Sequence, residues 1–171
     1  MQANKVVFDG AGFKAEHIAA QQFNGTLVTD LALQYKDIDV MVPAKDGSVK
    51  SCSVKDSVSG SKQWKNIQIE LLTVNTRNGA TQPGCFVKNE SDYYMWQVWW
   101  EGKAQWVVVQ SADLKAYVKE NKHRLRKFKT TAGVEALNRK YGRTYDRSEG
   151  VNIDIDVFVA LGKLIPVKEV N

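Results

Sequence analysis

Residues 37–56 read DIDVMVPAKDGSVKSCSVKD, two alternating runs joined at an Asp-Gly step. Alternation puts successive side chains on opposite faces of a strand, and Asp-Gly accepts the positive backbone dihedrals of a tight turn. The segment is therefore predicted as a hairpin with strands near 37–43 and 48–55, which commits the chain to a sheet. The same patterning predicts strands near 26–34, 66–74, 93–100 and 104–110, the last two joined through EGKAQ. AGFKAEHIAAQQFNG reads as an early helix with Gly25 as its stop. SADLKAYVKENKHRLRKF reads as a later helix with Ser111 as N-cap, and a short helix is predicted near 132–140. Residues 153–161 and 164–170 show apolar alternation. No repeat, low-complexity stretch or linker interrupts the 171 residues, so the expectation is one domain spanning 1–171. Its class is α/β of the mixed α+β kind.

Composition narrows the chemistry. Apolar residues make up 43% and prolines number 3, which is ordinary for a packed domain. No run reaches the length of a membrane span, and MQANKVVFDG lacks the apolar block of a signal peptide. Cys52 and Cys85 have no metal-ligand spacing, and with two histidines they make no zinc set. Reduced, buried thiols and a cytoplasmic setting are expected. The net charge of +5 is unevenly spread: Lys115 to Arg147 holds eleven Lys and Arg against three acids. A basic, largely helical C-terminal third, about 111–147, suits a polyanion. Lys119, Lys122, Arg124, Arg126, Lys127 and Lys129 are its candidate phosphate contacts; a solvated helix face is the alternative.

Four segments carry acids or a lysine where apolar neighbours make them costly. Glu16 shares a helix face with Ala19, Ala20 and Phe23. Asp37 and Asp39 lie on one face of an otherwise apolar strand, with Asp39 preferred and Asp37 in reserve. Ser53 and Lys55 share a face opposite Cys52 and Val54. In NIQIELL, Gln68 and Glu70 oppose Ile67, Ile69 and Leu71. If these strands are neighbours, Asp39, Lys55 and Glu70 converge. Two carboxylates and a lysine suit metal-assisted phosphodiester hydrolysis, because magnesium binds through one or two carboxylates while keeping waters. Structural salt bridges use the same residue types. The aromatic run YYMWQVWW is read as core packing rather than a base-stacking platform, with one or two rings left exposed.

The order Glu16, Asp39, then SVK at 53–55 resembles the Glu…Asp…(Glu/Asp)-X-Lys signature of the PD-(D/E)XK nuclease superfamily, which includes restriction enzymes and Holliday-junction resolvases. NIQIE and SDYY resemble segments of its small single-domain members, and the likeness runs from residue 11 to about 120. Ser53 stands where the pattern usually has a metal-binding acid. Some restriction enzymes carry Ser-Val-Lys and supply that acid from downstream, and Glu70, fifteen residues after Lys55, resembles this migrated glutamate. The resemblance implies a restriction-endonuclease-like core, a central mixed sheet flanked by helices. It implies catalytic Lys55, Glu70, Asp39 and Glu16, with Asp39 and Glu70 binding Mg2+ or Mn2+. DNA is the implied partner, and a homodimer is an expectation for cutting two strands. The alternative is an inactive nuclease fold that binds DNA or acts as a regulator or inhibitor.

Overall fold

The structure, a computed structural model, describes residues 11–58 and 64–168. The polar run 59–63 and the end of the alternating segment 164–170 lie outside the described residues.

Helix α1 (Ala11–Gln22) is rich in alanine, the residue with least to lose in a helix. Its small buried Ala15 and Ala19 let it lie close on the sheet. The left-handed residue that ends its last turn is Asn24, at φ 53°, rather than Gly25. Gly25 is needed for a different reason, since a Cβ there would stand 2.8 Å from the Met41 carbonyl oxygen.

Strand β1 (Thr26–Leu27) is short, and the strand expected over 26–34 gives way to α2 (Leu31–Tyr35). Asp30 caps α2, accepting from the N–H groups of Ala32 and Leu33 at 2.7 and 3.4 Å. A five-residue helix is too short to display a 3.6-residue period. The chain leaves α2 through Asp37, whose φ of 58° is the left-handed exit of a helix. Thus Asp37 and Asp39 precede strand β2 (Val40–Pro43) instead of belonging to it.

The hairpin of β2 with β3 (Val49–Asp56) forms as expected, with Gly47 at φ 82°. Next come β4 (Asn66–Val74), β5 (Thr81–Pro83), α3 (Cys85–Lys88), β6 (Tyr93–Trp100) and β7 (Lys103–Gln110). Both turn residues between β6 and β7, Glu101 and Gly102, have positive φ, the geometry that matches strand twist. Helix α4 (Ser111–Asn121) is shorter than expected. Ser111 is no cap: it is buried, 3.1 Å from the Ser91 hydroxyl, and Gln110 holds the cap position. The basic third is therefore not continuous helix, because Lys127 and Lys129 lie on strand β8 (Lys127–Lys129). Helix α5 (Ala132–Lys140) matches its expectation and is capped by Thr131. The alternating segment 153–161 is the end of β9 (Arg147–Asp154) followed by α6 (Ile155–Leu161); β10 (Lys163–Pro166) is the last element among the described residues.

The class is mixed α/β. Six strands form one sheet in the order β1-β2-β3-β6-β7-β10, antiparallel except for the parallel pair β3–β6. The second sheet, β5-β4-β9-β8, is antiparallel throughout. One face of the large sheet, including Cys52, Val54, Met95 and Trp106, packs on α1. The other face, with Tyr94, Trp96, Val98, Val107 and Val109, packs on Ile67, Ile69, Val151 and Ile153 of the second sheet and on Leu114 and Phe158. The aromatic run is long because β6 is buried on both faces; Tyr93, Trp99 and Trp100 remain half-buried. No helix among the described residues is long and apolar enough to cross a membrane.

Candidate functional site: an acidic cluster around Lys55

Strand β2 begins at Val40, opposite Cys52, while β3 runs on to Asp56 with only β6 beside it. The unpaired side of β3 is met by the chain entering β2. Asp39 donates its N–H to the Cys52 carbonyl at 2.9 Å. Its Oδ2 accepts the Val54 N–H at 2.8 Å, so a side chain takes over where a strand partner ends. Asp37 reaches the same place from the α2 exit. Its Oδ1 lies 2.5 Å from the Lys55 Nζ, and its Oδ2 accepts from the Ser53 hydroxyl at 2.9 Å and from Asn89 Nδ2 at 3.2 Å. Lys55 Nζ stands 3.8 Å from Asp39 Oδ2.

Ser53 now has a physical explanation. It is fully buried and supplies a donor to Asp37, where a carboxylate would add a negative charge against one already desolvated.

The electrostatics join Glu16 to this group. Burial first, and then the Asp39 carboxylate, push the Glu16 carboxyl up to about 7, with Lys55 opposing. Burial also raises Asp39, against the pull of Lys55 and the Val54 hydrogen bond. Burial would lower the Lys55 ammonium, but Asp37 and Asp39 outweigh it and hold it above its ordinary value. Asp37 and Asp39 thus flank one cation, Glu16 feels their field, and Glu16 and Asp39 resist ionising.

Glu70 comes from elsewhere. Its strand, β4, belongs to the second sheet and is not a neighbour of β3, so the expected route to convergence is corrected. At a register shift in β4, Glu70 turns Oε1 to the Cys85 N–H at 3.0 Å and accepts the Ser148 hydroxyl on Oε2. It nonetheless lines, with Lys55, a 260 Å³ pocket between the sheets. Cys85 sits between them: burial pushes its thiol up to about 12, with Lys55 lowering it and Asp37 and Glu70 raising it. Cys52 is buried and Cys85 half-buried, and both are unbridged.

Sequence reasoning held Asp37 only in reserve, yet it makes the shortest contact to Lys55. It missed Asn89 altogether. Buried Asn89 also donates to the Asp37 carbonyl at 3.3 Å and to Ser91, and its own carbonyl accepts from the Lys115 ammonium. Asn89 lies 52 positions from Asp37, and no local pattern advertises such a bond.

All six basic candidates are exposed. Lys119 is on α4, Lys122 and Arg124 follow it, and Arg126, Lys127 and Lys129 lie at or on β8. These last three line a groove of 1000 Å³ that also reaches Gln68, Trp96 and Asn152.

Among the described residues, no group of three or more His, Cys, Asp or Glu side chains stands ready to hold a metal ion. Magnesium needs only one or two carboxylates, and Glu16 and Asp39 are acids whose ionisation a divalent cation would relieve. Comparison of the chain with protein-family models, curated proteins and solved structures finds no match.

Proposed function

We propose that this chain is a metal-dependent DNA endonuclease of the PD-(D/E)XK kind, hydrolysing phosphodiester bonds at the cluster around Lys55. The observation that carries the reading is Lys55 held between Asp37 of the helix exit and Asp39, with Glu16 of α1 within their electrostatic reach. Asp39 and Glu16 would hold Mg2+ or Mn2+, with Glu70 the reserve ligand across the pocket. The cation would polarise a phosphoryl oxygen and lower the pKa of a bound water. Lys55, kept charged by Asp37 and Asp39, orients the attacking water and offsets negative charge that develops on the phosphate. Asp37, fixed by Ser53 and Asn89, holds the ammonium in place. Arg126, Lys127 and Lys129 bind the phosphate backbone without reading sequence. Cutting both strands of a duplex would require two copies or two events. A cytoplasmic setting belongs to the same reading, since both thiols are unbridged.

A second reading is an inactive nuclease fold that binds DNA as a regulator or inhibitor. It is favoured by Lys55 being drawn onto Asp37 and by Glu70 being taken up by Cys85 and Ser148. Cleavage of plasmid and branched DNA with magnesium, manganese or EDTA separates the two. Metal-dependent cutting is expected from the wild type, with Lys55→Ala slower by about 10²–10³-fold and Asp39→Ala inactive. Loss in Glu70→Ala as well would make Glu70 a ligand. Salt-sensitive binding with no cutting by any form would select the inactive reading.

A further inference from the structure

The groove beside β8 and the pocket at Lys55 are not separate. Gln68, Trp96 and Phe128 line both, so the 1000 Å³ groove and the 260 Å³ pocket adjoin one another. Their characters differ. The groove carries Arg126, Lys127 and Lys129 along one wall. The pocket is walled mainly by rings and aliphatic groups, Phe86, Tyr94, Trp96, Phe128 and Ile69. Its volume is that of a ring system rather than of a whole nucleotide.

One feature of the pocket points to a ligand directly. Tyr94 is 1% exposed and lines it, yet its hydroxyl has no hydrogen-bond partner among the described residues. Leaving such a buried group unsatisfied is unfavourable. A bound acceptor would remove that cost. The phenol lies in the field of Asp37, Cys85 and Asp39, which with burial keeps it protonated and a donor at any working pH. Without a bound cation, those acids and Glu70 disfavour phosphate deep in the pocket but accept a neutral ring with polar edges, and the one positive charge there is Lys55 at its lining. The remaining phosphates lie outside, on the cations at β8.

We propose that groove and pocket together hold an unpaired DNA strand, its backbone along Arg126, Lys127 and Lys129 and one unstacked base seated against Tyr94 and Phe128. This deepens the nuclease reading and rests on it, because seating the base brings an adjoining phosphate to Lys55. In a duplex every base is stacked and paired inside the helix, so entry requires extrusion, which costs least where the base is already unpaired. The preferred substrate is therefore DNA with a single-stranded or locally unpaired segment over a fully paired duplex. Ring stacking is tolerant of sequence, so little base preference is expected.

The test is equilibrium binding in EDTA, where cutting plays no part. The probes are an oligothymidylate carrying one 2-aminopurine and a fully paired hairpin duplex. The oligomer is expected to bind about tenfold tighter than the duplex, with altered 2-aminopurine emission. Tyr94→Phe removes only the unpartnered hydroxyl, so its melting temperature should hold or rise while oligomer affinity falls about fivefold. Phe128→Ala should weaken the oligomer by about tenfold; should it unfold, Tyr94→Phe still decides. Duplex binding as tight as oligomer binding, or unchanged oligomer affinity in Tyr94→Phe, would overturn the inference. Metal-dependent cutting of intact duplex without oligomer binding would overturn it while leaving the nuclease reading in place. Oligomer binding with no cutting would do the reverse.

Discussion

At Asp37 a left-handed backbone, a buried carboxylate and an ion pair coincide in one residue. Aspartate tolerates that conformation better than most residues, and the Asn89 amide braces both its carbonyl and its side chain. Strain held by its surroundings is a pattern seen where geometry serves chemistry. Glu16 offers the cleanest single-residue test. Its folded carboxyl titrates near 7 against an ordinary 4.5, so between these values the folded state keeps a proton that the unfolded chain has released. Stability from this group therefore falls as pH rises from 4.5 to 7, and levels off above. Glu16→Gln should lose that decline. Thermal unfolding of both forms at pH 4.5 and 7 measures it, and parallel behaviour would show that Glu16 is simply solvated. The sequence made Glu16 conspicuous, because a carboxylate among Ala19, Ala20 and Phe23 needs a reason. It left Asp37 in reserve because strand parity equates it with Asp39, and only the α2 exit separates them.

Elements whose pairing is local were legible, and the others were not. The β2–β3 and β6–β7 hairpins announce themselves through Asp-Gly and Glu-Gly turns, and α1 and α5 through composition and length. Helices α2 and α6, of five and seven residues, are too short for their period to be distinguished from alternation. Strand β8 is hidden because Lys127-Phe128-Lys129 continues a basic run that reads as helix. The second sheet is hidden for a deeper reason: β4 pairs with β9, Gln68 opposite Asn152, and no short window records such a partner. Glycine marks where elements touch. Gly25 lets the chain leaving α1 pass against β2, where a Cβ would lie 2.8 Å from Met41 O and 2.9 Å from Val40 Cγ1. Gly25→Ala should cost about 1–3 kcal/mol of stability, the usual penalty of overpacking. Urea unfolding checks this, and an unchanged midpoint would mean that the contact relaxes freely.

Across the whole molecule, Lys55 comes from the large sheet, Glu70 from the small one, and Arg126, Lys127 and Lys129 line the groove that adjoins their pocket. Of the eleven Lys and Arg between Lys115 and Arg147, three line that groove. Lys127→Gln with Lys129→Gln should reduce the slope of log affinity against log salt for single-stranded DNA by about 1.4, two contacts' worth. An unchanged slope would place the phosphates elsewhere. The central claim is that the acids around Lys55 hold a divalent cation for phosphodiester chemistry. Its most direct test is titration with Mn2+ followed by electron paramagnetic resonance, on either side of pH 7, where Glu16 ionises. One saturable site is expected, tighter at the higher pH as the acids release protons, and lost in Asp39→Ala. Absence of saturable binding, or binding that Asp39→Ala leaves intact, would contradict the claim.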